Sequence, residues 1–168
     1  MSIIKKIIFI IFTITFVVKV NAEEIKKMGT HKDWETYVIN SDTGKVCFAQ
    51  SKPVLQSPKN SLREARLFIS FRPGEKITNE ISVTAGYEFN NKNSVIAQSG
   101  KNKYKLDLVQ DGFAWMTGTK LEIKMIKTMK RGSRIMITGN TQTGSSTIDH
   151  YSLLGFTKAY NATKANCS

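Results

Sequence analysis

Gly44-Lys45-Val46-Cys47-Phe48-Ala49-Gln50-Ser51-Lys52-Pro53 is the stretch on which the fold turns. Val46, Cys47, Phe48 and Ala49 leave no polar position on either face. The segment therefore reads as a short central strand, buried on both sides, between a glycine turn and a proline stop. It carries one of the chain's two cysteines, and the other is the penultimate residue, Cys167. Pairing them would staple the far end of the chain back onto this strand; two free thiols are the alternative. In an oxidising compartment such a link, closing a loop of about 120 residues, stabilises a fold by about 5 kcal/mol in the chain-entropy model.

Working outward, Trp34-Glu35-Thr36-Tyr37-Val38-Ile39 is aromatic and β-branched, and Asn40 to Gly44 supplies turn chemistry, so this segment and the Cys47 strand form a hairpin. The polar lead before it, Glu23 to Lys32, is expected to be poorly ordered. On the other side, Pro53 to Leu62 reads as a loop. Ala65 to Arg72 then alternates, with Leu67, Ile69 and Phe71 on one face until Pro73-Gly74 breaks it. Asn79 to Thr84 follows with Ile81 and Val83 in phase, and Gly86-Tyr87-Glu88-Phe89 predicts a further short strand. Ser94 to Gln98 and Tyr104 to Val109 form a second hairpin through Ser99 to Lys103, with Tyr104, Leu106 and Leu108 in register.

After Phe113-Ala114-Trp115-Met116 the apolar period changes from two to about three and a half. Leu121, Met125 and Met129 recur on one face of a helix from Thr119 to Arg131, which Thr117 or Thr119 caps and Gly132 closes. Arg134 to Thr138 pairs with Ser145 to Tyr151 through a Gly- and Thr-rich turn. A C-terminal helix follows, with Phe156, Ala159, Tyr160 and Thr163 on one side and Cys167 near its end. Many short strands and only two helices predict a mainly β chain, an antiparallel β-sandwich rather than a parallel α/β sheet.

The first 22 residues read as a secretory signal peptide. Lys5 and Lys6 form the charged start, Ile7 to Val18 the apolar run, and Val20-Asn21-Ala22 the cleavage site. Lys19 interrupts the run before it is long enough for a membrane anchor. Residues 23–168 then form one domain, large enough for a real core. Without Lys5, Lys6 and Lys19 it keeps 22 basic against 13 acidic residues, a net charge of +9. An exported protein this basic is directed toward lipid headgroups, acidic glycans or an acidic protein, and away from nucleic acid; plain solubility is the simpler reading of the same charge.

The residues offer little catalytic chemistry. His31 and His150 have no second His, Cys or carboxylate at a metal-binding spacing, so no metal or cofactor is expected. Asp149 and His150 are adjacent on a strand and point to opposite faces, and no nucleophile elbow supplies a serine, which argues against a hydrolase of envelope polymers. Glu75, Glu80, Glu88, Asp107 and Asp111 read as solvated surface. Asn161-Ala162-Thr163 and Asn166-Cys167-Ser168 match the glycosylation triplet, a pattern common by chance. Interaction surfaces remain. Lys120, Lys124, Lys127, Arg131 and Arg134 form a basic stripe along the internal helix, a candidate for an anionic surface or an ordinary solvated face. Lys101, Lys103 and Lys105 around Tyr104 form a second basic site or protect a sheet edge. Trp34, Trp115, Tyr87 and Tyr151 are candidates for a groove, with core packing the readier explanation.

Several motifs occur together in order: Lys45-Val46-Cys47-Phe48-Ala49-x-Ser51-Lys52-Pro53, Phe71-Arg72-Pro73, Asn79-Glu80-Ile81-Ser82-Val83-x-x-Gly86-Tyr87, Ala114-Trp115, Met129-x-x-Gly132 and Asp149-x-Tyr151-Ser152-Leu153-x-Gly155-Phe156-Thr157. From about Trp34 to Cys167 the chain resembles the invasion-associated locus B family, exported proteins of alphaproteobacteria. The resemblance implies an immunoglobulin-like β-sandwich in the periplasm or associated with the cell envelope. It implies no catalytic residues, and a part in host-cell invasion for pathogenic members. A mid-chain cysteine pair found in some members has no counterpart here, so only Cys47 and Cys167 match. The combined reading is a non-catalytic envelope binding protein, with a surface-displayed invasion factor as its alternative.

Overall fold

A computed structural model describes residues 24–41, 44–60 and 63–168. The expected signal peptide, residues 1–22, lies outside the described residues. So do Asp42 and Thr43 of the first turn and the last two residues of the Pro53 to Leu62 loop.

The described residues open with a strand where a poorly ordered lead, Glu23 to Lys32, is expected, Glu23 itself lying outside them. Strand β1 (Glu24–His31) pairs antiparallel with β2 (Trp34–Ser41). Its side chains are nearly all exposed, so no burial pattern marks it; the pairing does. On the outer face the carboxylate of Glu35 gathers the ammonium of Lys27, the hydroxyl of Tyr37 at 2.8 Å and the amide of Gln50 at 3.4 Å. These contacts, the Lys27 bond foremost, hold the Glu35 carboxyl down at about 2. Its contribution to stability is therefore present above the unfolded carboxylate range and lost only as pH falls through about 2. An NMR titration should find that midpoint near 2, and Lys27→Ala should move it upward; an ordinary carboxylate midpoint in the wild type would contradict the contact.

Strand β3 (Gly44–Ser51) completes the expected hairpin with β2. It is central, third in a seven-stranded sheet in which β1, β2 and β3 are followed in order by β5 (Ala65–Arg72), β6 (Ile77–Ala85), β10 (Phe113–Trp115) and β9 (Leu108–Gln110). Only one of its faces is deeply buried: Cys47, Ala49 and Ser51 point inward, while Val46 and Phe48 are half-exposed, contrary to burial on both sides. The Pro53 loop contains a short strand, β4 (Leu55–Ser57), at the edge of the other sheet. Strand β5 (Ala65–Arg72) buries Leu67, Ile69 and Phe71 as the alternation predicts, and after a single 3-10 turn β6 (Ile77–Ala85) buries Ile81 and Val83.

Gly86 to Phe89 is not a strand; only Phe89 makes an isolated bridge, to Thr141. The reason is packing. Phe89 lies so close over Gly139 that a Cβ there would sit 2.6 Å from its ring, and the segment's backbone meets the end of β11 (Arg134–Asn140) only through this bridge and the N–H of Asn90 on the carbonyl of Asn140 at 2.8 Å. The second hairpin is tighter than expected, β7 (Val95–Ser99) joining β8 (Asn102–Leu106) through Gly100-Lys101 alone. At Asp107 the chain leaves one sheet for the other. Leu108 consequently falls out of phase with Tyr104 and Leu106 and is exposed on β9 (Leu108–Gln110), which pairs with β10 (Phe113–Trp115).

Helix α1 (Thr119–Arg131) has the predicted bounds but a different phase. Its buried stripe is Glu122, Met125, Ile126 and Met129, and Leu121 is half-exposed. Gly118, not a threonine, holds the N-cap position, because Thr117 turns its hydroxyl to Asp107 at 2.9 Å. Strands β11 (Arg134–Asn140) and β12 (Ser146–Ser152) then complete a five-stranded sheet ordered β4-β12-β11-β7-β8, and helix α2 (Phe156–Asn166) follows. Every strand pairing is antiparallel.

The two sheets form a β-sandwich over one core. Leu67, Ile69, Ile81 and Val83 of the larger sheet face Val95, Ala97, Ile135 and Ile137 of the smaller, with Met125, Met129 and Phe156 of the helices filling the open end. Cys47 and Cys167 form a disulfide across 120 residues, with Cα atoms 5.8 Å apart, locking α2 onto β3. Gly155 ahead of α2 has φ +90°, and a Cβ on it would collide with the carbonyl of His31; the β1–β2 turn is thereby laid against the start of α2. No helix among the described residues is long and apolar enough to cross a membrane.

Candidate functional site

The apolar stripe of α1 fixes which way its lysines face. With Met125, Ile126 and Met129 in the core, Lys124, Lys127 and Arg131 turn toward the β7–β8 hairpin. Two hydroxyls hold the hairpin in place. Tyr104, buried on β8, shares a 2.6 Å hydrogen bond with the hydroxyl of Thr128 and donates to the carbonyl of Lys124 at 3.4 Å. Ser99 donates to the carbonyl of Arg134 at 2.9 Å. Between helix and hairpin lies a groove of about 770 Å³, lined by Lys124, Lys127, Arg131 and Arg134 with Gly100 and Asn102 across from them.

Four residues of the predicted stripe thus converge on one groove, and Lys120 lies outside its lining. The second predicted basic site does not join it. Lys101 sits in the hairpin turn, while Lys103 and Lys105 project from the exposed side of edge strand β8, alternating with buried Tyr104 and Leu106. That placement is the one lysines take to keep an edge from pairing with another chain.

Among the described residues none of the four groove cations is in an ion pair, and no carboxylate lines the groove. Arg131 lies in the last helical turn, where a cation complements the helix dipole. Lys124, Lys127 and Arg134 lie outside that turn, so the dipole does not account for them. Lys130 is turned away, 3.8 Å above the ring of Tyr160, where burial lowers its pKa. A concave surface carrying several cations and no anions focuses a positive potential, an arrangement chemically able to hold an anion.

The carboxylates are more engaged than solvated surface. Arg72 grips Glu80 through two bonds of 2.7 and 2.8 Å and reaches Glu75 at 3.0 Å. Glu88 accepts the backbone N–H of Gly112 at 2.9 Å, and Asp107 accepts the hydroxyl of Thr117. Glu122 is buried although ionisable, and shares a second cleft of about 480 Å³ with Arg72, Glu80 and Trp115. Burial raises its pKa, opposed by a bond from the backbone of Ile81 and reinforced by the charge of Glu80. A helical phase one residue later than the Leu121 pattern would have marked it.

Asp149 is a structural group. Its carboxylate takes two bonds from Arg63, at 2.6 and 3.0 Å, and the pair is almost wholly buried. His150 projects to the opposite face of β12, in register with Met136 and Leu55. Of the aromatic candidates, Trp34 and Tyr151 lie in the core and Tyr87 packs against it; Trp115 alone lines a cleft. A row of rings on the outer face of the larger sheet escaped the sequence reading. Tyr37, Phe48, Phe68, Phe113 and Trp115 follow one another at centroid distances of 5.1, 6.0, 6.0 and 5.5 Å. Its signal lay in the positions that alternate with the core residues, which are aromatic where polar residues are the rule.

A family model described as "Invasion associated locus B (IalB) protein" matches residues 34–164. No curated protein and no solved structure matches the chain.

Proposed function

Since this chain belongs to the invasion associated locus B family, we propose that it is an exported, envelope-associated binding protein that holds an anionic envelope component in its basic groove. The convergence of Lys124, Lys127, Arg131 and Arg134 without a carboxylate among them carries this reading. The groove offers charge and hydrogen-bond donors, and no histidine or carboxylate lines it to activate the hydroxyls of Ser99, Thr128 or Ser133, which supports binding rather than catalysis. Its partner carries phosphate or carboxylate groups, as lipid headgroups, acidic glycans and acidic proteins do.

The measurement is co-sedimentation of the purified protein with isolated envelope vesicles across a salt series. Binding should weaken as salt screens the exposed charges. Lys127→Gln and Arg131→Gln should each weaken it about fivefold, the equivalent of about 1 kcal/mol per cation. Salt-insensitive binding, or a double variant that binds like the wild type, would refute the groove's role.

The description of the family also supports a second reading, a part in host-cell invasion, which calls for display at the cell surface. Protease treatment of intact cells separates the two locations. Digestion before the outer membrane is opened supports display, and protection until then supports an envelope role inside it.

A further inference from the structure

The basic groove does not stand alone. Gly132 and Ser133, which line it, also line a second cavity of about 430 Å³ beside the start of α2. The carbonyl of Ser133 accepts the N–H of Leu153 at 3.0 Å, tying the end of α1 to the segment after β12 where the two cavities meet. The second cavity has a different character. Leu153 and Leu154 form its apolar wall, and Leu154 is 61 % exposed. Lys32, carried there by the turn laid against Gly155, and Lys158 add two more cations.

Neither cavity is lined by a carboxylate or an aromatic ring. A soluble acidic glycan satisfies the cations but gains nothing from the leucines and finds no ring to stack on. A free phosphate likewise leaves Leu154 in water. A molecule with an anionic end and an apolar end uses both cavities, because ion pairing and removal of apolar surface from water then act together. We propose that the groove and the Leu153–Leu154 cavity form one site for a phosphate-bearing lipid. Its headgroup lies among Lys127, Arg131 and Arg134, and its first acyl carbons rest on Leu154. This rests on the anion-binding reading of the groove and adds to it the class of ligand.

The test is calorimetric titration of the whole protein with three soluble probes. They are dihexanoyl phosphatidic acid below its micelle-forming concentration, glycerol 3-phosphate and heparin. The lipid should bind about tenfold more tightly than glycerol 3-phosphate, the gain from burying roughly two methylene groups. Leu154→Asn, at an exposed position, should abolish that preference and leave glycerol 3-phosphate binding unchanged. Lys127→Gln with Arg131→Gln should weaken both. Equal affinities for the lipid and glycerol 3-phosphate, a preference that survives Leu154→Asn, or binding of heparin alone would overturn the lipid assignment while leaving the groove an anion site. Binding of none of the three would overturn the anion-binding reading itself.

Discussion

Cys167→Ala should lower the stability of the protein by about 5 kcal/mol, since the bond it removes closes a long loop in the unfolded chain. The crosslink spans 120 residues and joins a fully buried position on β3 to one that follows α2. Domains of this kind rarely exceed about 15 kcal/mol of stability, so the variant retains little reserve. Cys167 is the better position to change, because Cys47 lies deeper in the core and its replacement adds a packing loss. Chemical denaturation with and without reductant measures the effect: reductant should lower the wild-type midpoint and leave the variant unmoved. Alkylation of the unreduced protein should label neither cysteine. Labelling of both, or a wild-type midpoint indifferent to reductant, would show that the bond does not hold the fold.

The second large effect lies on the other sheet, at Asp149 of β12. Asp149→Ala should cost about 3–5 kcal/mol, the range for removing one partner of a buried ion pair. The pair's side chains are 8 % and 2 % exposed. Arg63 also donates to the carbonyl of Ala85 on β6 at 3.0 Å, so one guanidinium bridges both sheets. Gln56 on β4 donates to the same carboxylate at 3.2 Å and to the carbonyl of Arg63, again at 3.2 Å. Loss of the carboxylate leaves a buried cation without its counter-ion, which is the source of the cost. Arg63→Leu combined with Asp149→Leu should therefore be far less damaging than the two single changes added together. Additive effects, or an Asp149→Ala penalty below about 1 kcal/mol, would mean that water reaches the pair and shares its charge.

Features set by local chemistry were legible in the sequence. Alternation gave the inward residues of β5 and β6, the change of period gave the bounds of α1, and two cysteines allowed one intramolecular pairing, which the structure contains. Features set by a distant partner were not. Strand β1 carries no buried alternation, its Ile25 and Met28 being exposed, and becomes a strand because β2 offers it an edge and Glu35 receives Lys27. Leu108 continued a pattern that ended one residue earlier, at a change of sheet that no local signal marks. The basic groove was half visible. Helical spacing gathered Lys124, Lys127 and Arg131, but the hairpin that walls them in, and the leucine cavity beside them, depend on how β7, β8 and α2 pack against α1.

The strand orders also fix a timetable for a chain made from its N-terminus. Strands β1, β2, β3, β5 and β6 are neighbours in the larger sheet and can assemble soon after each is made. Strand β4 cannot, because its partner is β12, and Gln56 waits 93 residues for Asp149. Through that interval Arg63 has no counter-ion, Cys47 no partner thiol, and the row of Leu67, Ile69, Ile81 and Val83 no complete opposing sheet, since β12 joins β4 to β11. A nascent chain at this stage is half a sandwich with its apolar filling exposed. The span of sequence between β6 and β12 therefore sets how long the unfinished protein must be kept from its neighbours, and oxidation of Cys47 before Cys167 exists can only join it to the wrong thiol.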